Sequence, residues 1–341
     1  MKIGLATIYK CYNYGSFYQA YGLQKCLQDM GHEVSFIPTD TKYNIKYRLR
    51  RQFNRDIKRD FFSLKLCKAY LKDWSLYNIA KKNEKDFDII IIGSDELWNI
   101  QNKSFTPSYE YYGLNLSTDN VFTYASCVGR SKISNFENYP KLLEGIKGIK
   151  TVSVRDDETE QFYKELTGKS LVPRVIDPSF LIDWHKLEKT CKEQNFILLY
   201  TYDGNWGFSE EYIKATKDFA NKKGLPIISV GFKNDWCDKS VACSPREFLG
   251  YLNNATYVVT DTFHGTAMSI QYKKQFISMG KGKSKVESLL SELNLKERIF
   301  DENNPFDAIT VNDIDYKKIE TIISGKKQNS LKFLLENINK N

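Results

Sequence analysis

The chain has 341 residues, 41% of them apolar and 14% aromatic, and carries a net charge of +8 at neutral pH. That length and apolar content suit a soluble, enzyme-sized chain of two ordinary domains. No apolar stretch approaches the roughly 18 residues that a membrane span requires. The opening run from Met1 to Lys10 is too short in its apolar part for a signal peptide and reads as a first strand, so residence in the cytoplasm is expected.

In chain order, Lys2 to Ile8 reads as a buried strand and is followed by Asn13-Tyr14-Gly15-Ser16, which opens a helical run from Phe17 to Leu27. Gly15 would let a ligand approach the backbone closely, and Ser16 is placed to cap the helix. Glu33 to Pro38 predicts the second strand. Beyond it, Lys42 to Asp60 holds eight basic and two acidic residues, interleaved with Tyr47, Leu49, Phe53, Ile57, Phe61 and Phe62. One reading is a solvated helical face; the other is a basic amphipathic segment lying on an anionic membrane surface, which a lipid-linked acceptor would explain. No zinc-finger, ribonucleoprotein or helix-turn-helix pattern accompanies the charge, so nucleic acid is not expected as a partner.

Asp88 to Ile92 is a continuous apolar run leading into Gly93-Ser94-Asp95-Glu96-Leu97-Trp98-Asn99. Val121 to Ala125 and Thr151 to Val154 are further strand candidates, the latter ending at Arg155. Gly168, Pro173 and Pro178 interrupt the periodicity between Thr167 and Gln194 and mark a join. A second set follows: strands at Phe196 to Tyr202, Pro226 to Val230, Tyr257 to Thr260 and Gln275 to Met279, with helices at Ser209 to Lys222 and Pro245 to Asn253. This alternation predicts an α/β chain of two Rossmann-like domains, 1–175 and 176–341. The amphipathic run Ser330 to Ile338 is a closing helix and a candidate to pack back on the first domain.

The seven cysteines, at 11, 26, 67, 127, 191, 237 and 243, include no C-x-x-C pair and no histidine at metal-ligand spacing. Free thiols and no structural zinc are expected.

The richest local signal is Thr260-Asp261-Thr262-Phe263-His264-Gly265, a histidine between a strand-like run and a helix-like run. In an open α/β sheet, ligands bind at the carboxyl ends of strands, so His264 sits where a proton donor or acceptor meets an anionic substrate. Taken alone, the hexapeptide equally describes a solvated loop histidine. His32 and His185 read as loop or structural residues.

Five motifs occur in order: Asn13-Tyr14-Gly15-Ser16 with Gln19-Ala20-Tyr21, Gly93-Ser94-Asp95-Glu96-Leu97-Trp98-Asn99, Ser153-Val154-Arg155-Asp156, Ile176-Asp177-Pro178-Ser179, and Thr260 to Gly265. With these, the chain resembles the polysaccharide pyruvyl transferase family from about residue 3 to about residue 298. The resemblance implies two domains facing across a cleft in a GT-B-like arrangement. It also implies transfer of a carboxyethylidene group from phosphoenolpyruvate to two sugar hydroxyls with release of phosphate, and no metal or cofactor beyond that donor.

Such chemistry needs a general acid for the methylene carbon, a base for the hydroxyl and cations for the phosphate. His264 is the catalytic candidate, with Arg155 beside it; the alternative for Arg155 is a structural pair with Asp156 or Asp157. Donor contacts are expected from Arg155, Lys283, Thr262, Gly265 and Ser16, Lys283 being preferred over Lys281 and Lys285. Acceptor contacts are expected from Asn13, Tyr14, Gln19, Ser94, Asp95, Trp98 and Asn99, although Trp98 reads equally as core and Asp95 equally as a helix cap. Two positions depart from the family pattern: Thr262 stands where some members carry arginine, and Glu96 where many carry glutamine. The phosphate charge is then taken by Arg155 and the lysine loop, or the donor is different. A sugar-nucleotide glycosyltransferase of the same architecture and a non-catalytic sugar-binding protein are the alternatives. The expected acceptor is a hexose, bridged at its 4 and 6 hydroxyls, on a lipid-diphosphate intermediate at the inner face of the membrane.

Overall fold

A computed structural model of the chain describes residues 1–39, 57–103, 106–203 and 207–340. Four short strands, β1 (Lys2–Ala6), β2 (Glu33–Phe36), β3 (Ile89–Ile92) and β4 (Val121–Thr123), form a parallel sheet in the order β2-β1-β3-β4. Five more, β5 (Ile197–Tyr200), β6 (Ile227–Val230), β7 (Lys239–Val241), β8 (Tyr257–Thr260) and β9 (Gln275–Ser278), form a second parallel sheet in the order β7-β6-β5-β8-β9. The helices in chain order are α1 (Tyr14–Asp29), α2 (Ile57–Trp74), α3 (Pro140–Gly148), α4 (Asp157–Thr167), α5 (Glu210–Lys223), α6 (Pro245–Asn254), α7 (Phe263–Gln271), α8 (Ser284–Glu292), the single turn α9 (Phe306–Ile309) and α10 (Tyr316–Asn339).

The strands β3 and β5 are apolar at every position because helices cover both faces of each sheet. In β3, Ile89 and Ile91 join one hydrophobic cluster while Ile90 and Ile92 join another on the opposite face. In β5, Leu198 and Tyr200 face the cluster that holds Ile89, whereas Ile197 and Leu199 face a third. One hydrophobic core therefore runs continuously from the first sheet to the second.

Aromatic side chains make the seam between the halves. Tyr14 is buried, stacks on Tyr70 with ring centroids 5.4 Å apart, and meets Phe248 at 4.6 Å. Its hydroxyl donates to the Cys243 carbonyl at 2.9 Å, and that of Tyr18 donates to the Pro245 carbonyl at 2.8 Å, so each buried ring has a satisfied polar tip. A buried carboxylate adds an ionic tie: Asp73 of α2 accepts from the Arg246 backbone amide at 2.8 Å and its Nε at 2.9 Å. The closing helix α10 reaches the first sheet, with Ser330 Oγ accepting from the Ile176 amide at 2.9 Å and Phe333 edge-on to Phe122.

Two expectations change. Thr151 to Val154 is not a ladder strand; Thr151 bridges to Phe122, and Val154 bridges to Ser126 and Arg174. The polar, partly exposed edge strand β7 has no apolar run to announce it. The segment 42–60 lies outside the described residues up to Asp56; from Ile57 it is the start of α2. All seven cysteines are free, and among the described residues no helix is long and apolar enough to cross a membrane.

Removing the Asp73 carboxylate leaves the Arg246 donors facing an apolar seam. Asp73→Ala is expected to lower the unfolding free energy by roughly 2–3 kcal/mol, read as a reduced denaturant midpoint with an unchanged slope.

Candidate active site

In both sheets the chain leaves neighbouring central strands in opposite directions, between β1 and β3 and between β5 and β8. The carboxyl ends of these strands are where an open α/β sheet binds ligands. The loops there are Thr7 to Asn13, Gly93 to Asp95, Thr201 to Asp203 and Asp261 to Thr262.

His264 is held by its own loop. Thr260 Oγ1 donates to the Tyr200 carbonyl at 2.7 Å, and Thr262 Oγ1 accepts from the Gly265 amide at 3.0 Å, capping α7 and setting His264 in its first turn. The ring crosses to the other half of the molecule and lies on the backbone of Gly15, in the first turn of α1. A Cβ at Gly15 would stand 2.1 Å from His264 Nδ1, so the ring can rest there only because residue 15 is glycine. On its other side, Nε2 is 3.5 Å from Asp177 Oδ2.

Asp177 is the hub. Its Oδ1 accepts from the Ser179 amide at 2.9 Å, and its Oδ2 receives Arg155 Nη1 and, at 3.3 Å, the Ser94 hydroxyl. Arg155 Nη1 also reaches Ser94 Oγ at 3.3 Å, and the guanidinium lies 4.4 Å from the centre of the Phe263 ring. Burial opposes ionisation of Asp177, but His264 and Arg155 reverse the balance and hold its carboxyl far below the usual range. Burial likewise opposes the charge on Arg155, and Asp177 more than restores it.

A second ion pair borders the first. Lys285 at the start of α8 bonds Glu96, which follows Asp95 in the β3 loop. Burial would raise the Glu96 carboxyl, yet Lys285, Asn99 and Arg155 bring it down to about 2. Beside the Arg155–Asp177 pair lies a cavity of about 30 Å³, lined by Arg155, Asp156, Asp177, Phe263, Lys285 and Ser288. That is the share of about one water molecule. Arg155 Nε and His264 Nε2 are buried without a hydrogen-bond partner.

The model of the family "polysaccharide pyruvyl transferase" matches residues 13–281, from the capping residue of α1 to the loop after β9. The chain belongs to the polysaccharide pyruvyl transferase family. It is therefore a transferase of polysaccharide synthesis, acting on a sugar. No curated protein sequence matches it. Among solved structures it is similar to UDP-GlcNAc 2-epimerase from Neisseria meningitidis bound to UDP-GlcNAc, with a TM-score of 0.53, 10% identity and 100% of both chains covered. It is also similar to a putative UDP-N-acetylglucosamine 2-epimerase from Listeria monocytogenes, with a TM-score of 0.53, 9% identity and coverage of 98% and 94% of the two chains. Such identities carry the fold alone, which is the expected GT-B-like pair of Rossmann-like domains.

Within the transferase, the motifs converge unequally. Arg155, Ser94 and His264 meet on Asp177, a residue the sequence placed in a motif without giving it a role. Arg155 is paired with Asp177 and not with Asp156 or Asp157, because Asp156 caps α4 through the Thr159 amide and Asp157 turns outward to Arg174. Lys283, expected at the donor, pairs with Asp261 and is 40% exposed, so Lys285 is the lysine facing the Arg155 cavity.

Thr262 and Gly265, both expected at the donor, bond each other as the cap of α7, the Thr262 hydroxyl accepting from the Gly265 amide and lying 3.1 Å from Thr260 Oγ1. Ser16 donates to Asp95 Oδ2 at 3.0 Å, and Asn13 caps α1 by accepting from the Ser16 amide. Asp95, partly exposed, holds a left-handed φ of 84°, a conformation that costs energy outside glycine and clusters at functional sites.

Three residues expected at the acceptor have their polar atoms buried and bonded within the protein. Tyr14 belongs to the aromatic seam; Gln19 donates to the Ile8 carbonyl at 2.9 Å; and Trp98 Nε1 donates to the Tyr111 carbonyl at 2.8 Å. Asn99, also buried, accepts from Ser131 Oγ at 3.0 Å and donates its Nδ2 to Glu96, so it borders the Lys285–Glu96 pair. Among the described residues, no three His, Cys, Asp or Glu side chains group as metal ligands.

Gly15→Ala is expected to leave the protein folded while displacing the His264 ring. A displacement on the order of 1 Å predicts about a 100-fold fall in transfer rate, with a shifted His264 imidazole resonance as the structural readout. A further expectation concerns acid. The Glu96 carboxyl is lowered from its ordinary value of 4.5 to about 2, so its contribution to stability is present above pH 4.5 and is lost as pH falls toward 2. Denaturant titrations of Glu96→Gln should accordingly show a shallower loss of stability between pH 5 and pH 3 than the parent.

Proposed function

We propose that the donor is phosphoenolpyruvate and that the product is a cyclic ketal on a hexose carried by a lipid diphosphate, made without a resident metal or cofactor. The observation that carries this reading is the convergence of Arg155 and His264 on one buried carboxylate, beside a second cation, Lys285. In the proposed reaction His264 gives a proton to the methylene carbon of the donor, and the neighbouring carbon, now electron-poor, takes the first sugar hydroxyl. Its carbon–oxygen bond to phosphate then breaks, with the electron pair leaving on phosphate. The second hydroxyl closes the ketal, and the protons released by the two hydroxyls pass to His264 and to the departing phosphate. Asp177 holds the imidazole and stabilises the positive charge that a proton brings to it.

Arg155 and Lys285 bind the anion. A phosphate does not fit a cavity of one water, so donor binding has to part Lys285 from Glu96, exchanging one anionic partner for another. Asp95, half-buried and bonded to Ser16 in the loop that also carries Glu96, is proposed with Ser16 to receive the sugar hydroxyls. The two similar structures named above are UDP-GlcNAc 2-epimerases by name, which makes nucleotide the competing donor to test.

Thermal unfolding with phosphoenolpyruvate, pyruvate, UDP and GDP in parallel separates the two, because a ligand of the native state alone stabilises it by about 2.7 kcal/mol at 100 times its Kd. The expected result is stabilisation by phosphoenolpyruvate, weakened in Lys285→Met and retained in His264→Ala, with phosphate release lost about 100-fold or more in His264→Ala. Stabilisation by UDP or GDP in place of phosphoenolpyruvate would move the assignment to glycosyl transfer.

A further inference from the structure

Helix α2 sorts its residues by chemistry around its axis. Leu66, Tyr70 and Asp73 are buried on one side, where Tyr70 stacks on Tyr14 and sits edge-on to Tyr12. The opposite side carries four of the most exposed large apolar residues in the molecule: Ile57 (85%), Phe61 (60%), Leu64 (59%) and Leu71 (60%). At 100° per residue, positions 57, 61, 64 and 71 fall within about an 80° arc, which makes one stripe and not scattered exposure. Lys65, Lys68 and Lys72 are exposed on the same side, and by the same spacing they run through the stripe and along one edge of it.

The charges of α2 are divided with equal consistency. Asp73 is turned inward to Arg246, and Arg59 is turned toward the second sheet, where its Nη1 donates to Asp203 at 2.9 Å. None of Lys65, Lys68 and Lys72 makes an ion pair with a described residue; Lys65 lies over the Phe61 ring at 4.5 Å. The outward face is thus apolar and cationic; Asp73 is withdrawn from it, and the other acid of the helix, Asp60, is half-buried at the edge of the stripe away from the lysines. An ordinary solvated helix face shows the reverse, polar residues of both signs and few large apolar ones.

From this arrangement we infer that the outward face of α2 docks on an anionic lipid bilayer, the helix lying in the interface with Phe61, Leu64 and Leu71 inserted and its lysines at the headgroups. Charge complementarity selects the occupant: a neutral apolar protein groove would leave the lysines unpaired, whereas anionic headgroups satisfy them while acyl chains receive the apolar stripe. In sequence, the stretch before α2 also carries Lys42, Lys46, Arg48, Arg50, Arg51 and Arg55. The position also has a use. Arg59 fixes the start of α2 to Asp203 in the loop after β5, and Tyr12 packs on Tyr70 and Trp74, so the docked face is anchored to loops from both halves of the cleft. A membrane-held acceptor would thereby be presented beside the cleft. The inference does not depend on which donor the enzyme uses.

Flotation of the whole chain with vesicles of neutral phosphatidylcholine, and with vesicles containing about a third phosphatidylglycerol, tests it, together with light scattering of the free protein. Expected are binding to the anionic vesicles, at least tenfold weaker binding to the neutral ones, and weakening by salt. The exposed triple variants Phe61→Ser/Leu64→Ser/Leu71→Ser and Lys65→Glu/Lys68→Glu/Lys72→Glu should each reduce anionic-vesicle binding at least tenfold, with melting temperature and soluble-donor affinity unchanged. Failure of the parent to float, or equal flotation on both vesicle types, overturns the inference. So does unaltered binding by both variants, which would assign attachment to residues 42–56. A parent dimer that the apolar variant converts to monomer would overturn it as well, giving the stripe to a second copy of the chain.

Discussion

A carboxylate with almost no contact with water is tolerated in a protein only when cations and donors surround it. Asp177, with 1% of its side chain accessible, meets that condition by drawing Arg155 from the end of the first sheet, Ser94 from the loop after β3 and His264 from the second sheet. The dependence runs in every direction. Without Asp177, Arg155 is a buried cation facing Phe263, and the His264 ring keeps only the Gly15 backbone to orient it. The site is therefore assembled by electrostatics across the halves, and its geometry is set before any substrate arrives.

Preorganisation of this sort has a corollary for the anion that enters. Arg155 already has a carboxylate on one edge, its Nε has no hydrogen-bond partner, and the residue lines the small cavity. Lys285, across that cavity, is neutralised by Glu96. The protein thus stores its second cation in a partnership with a more exposed carboxylate, 29% accessible against 1% for Asp177. Of the two carboxylates, Glu96 is the one water can receive on release, so it is the exchangeable one. Glutamate at this position keeps a half-buried lysine charged and ordered.

Much of this was legible in the residues and some was not, for definite reasons. Apolar runs bounded by Gly, Asn and Asp announced eight of the strands or their approximate places, since burial on both faces removes polar residues from a parallel strand. The polar edge strand β7 escaped because an edge carries no such requirement. Arg155 and His264 were found from motif context, but the partner of Arg155 was not: Asp156 and Asp157 are nearer in sequence, while Asp177 is nearer in space. Its signal was the Asp-Pro-Ser sequence inside a motif, an acceptor followed by a turn, which marks a fixed carboxylate without saying what it meets. Choosing Lys285 over Lys283 needed the helical spacing of Lys285, Ser288 and Glu292, which share one face of α8; Lys283 only precedes that helix. Tyr14, Gln19, Trp98 and Asn99 look like ligand groups by type, and only the packing shows their polar atoms already spent on backbone and neighbouring side chains.

The aromatic seam bears on how the enzyme turns over. Two-domain enzymes whose halves meet through a small polar interface admit and release substrates by swinging apart. Here a hinge motion would bring Tyr14, Tyr18, Tyr70 and Phe248 into water together. At about 1.5–3 kcal/mol for each large side chain, that exposure costs roughly 6–12 kcal/mol, comparable to unfolding a whole domain. The seam therefore resists rotation of one half against the other and keeps the His264 ring in register over Gly15.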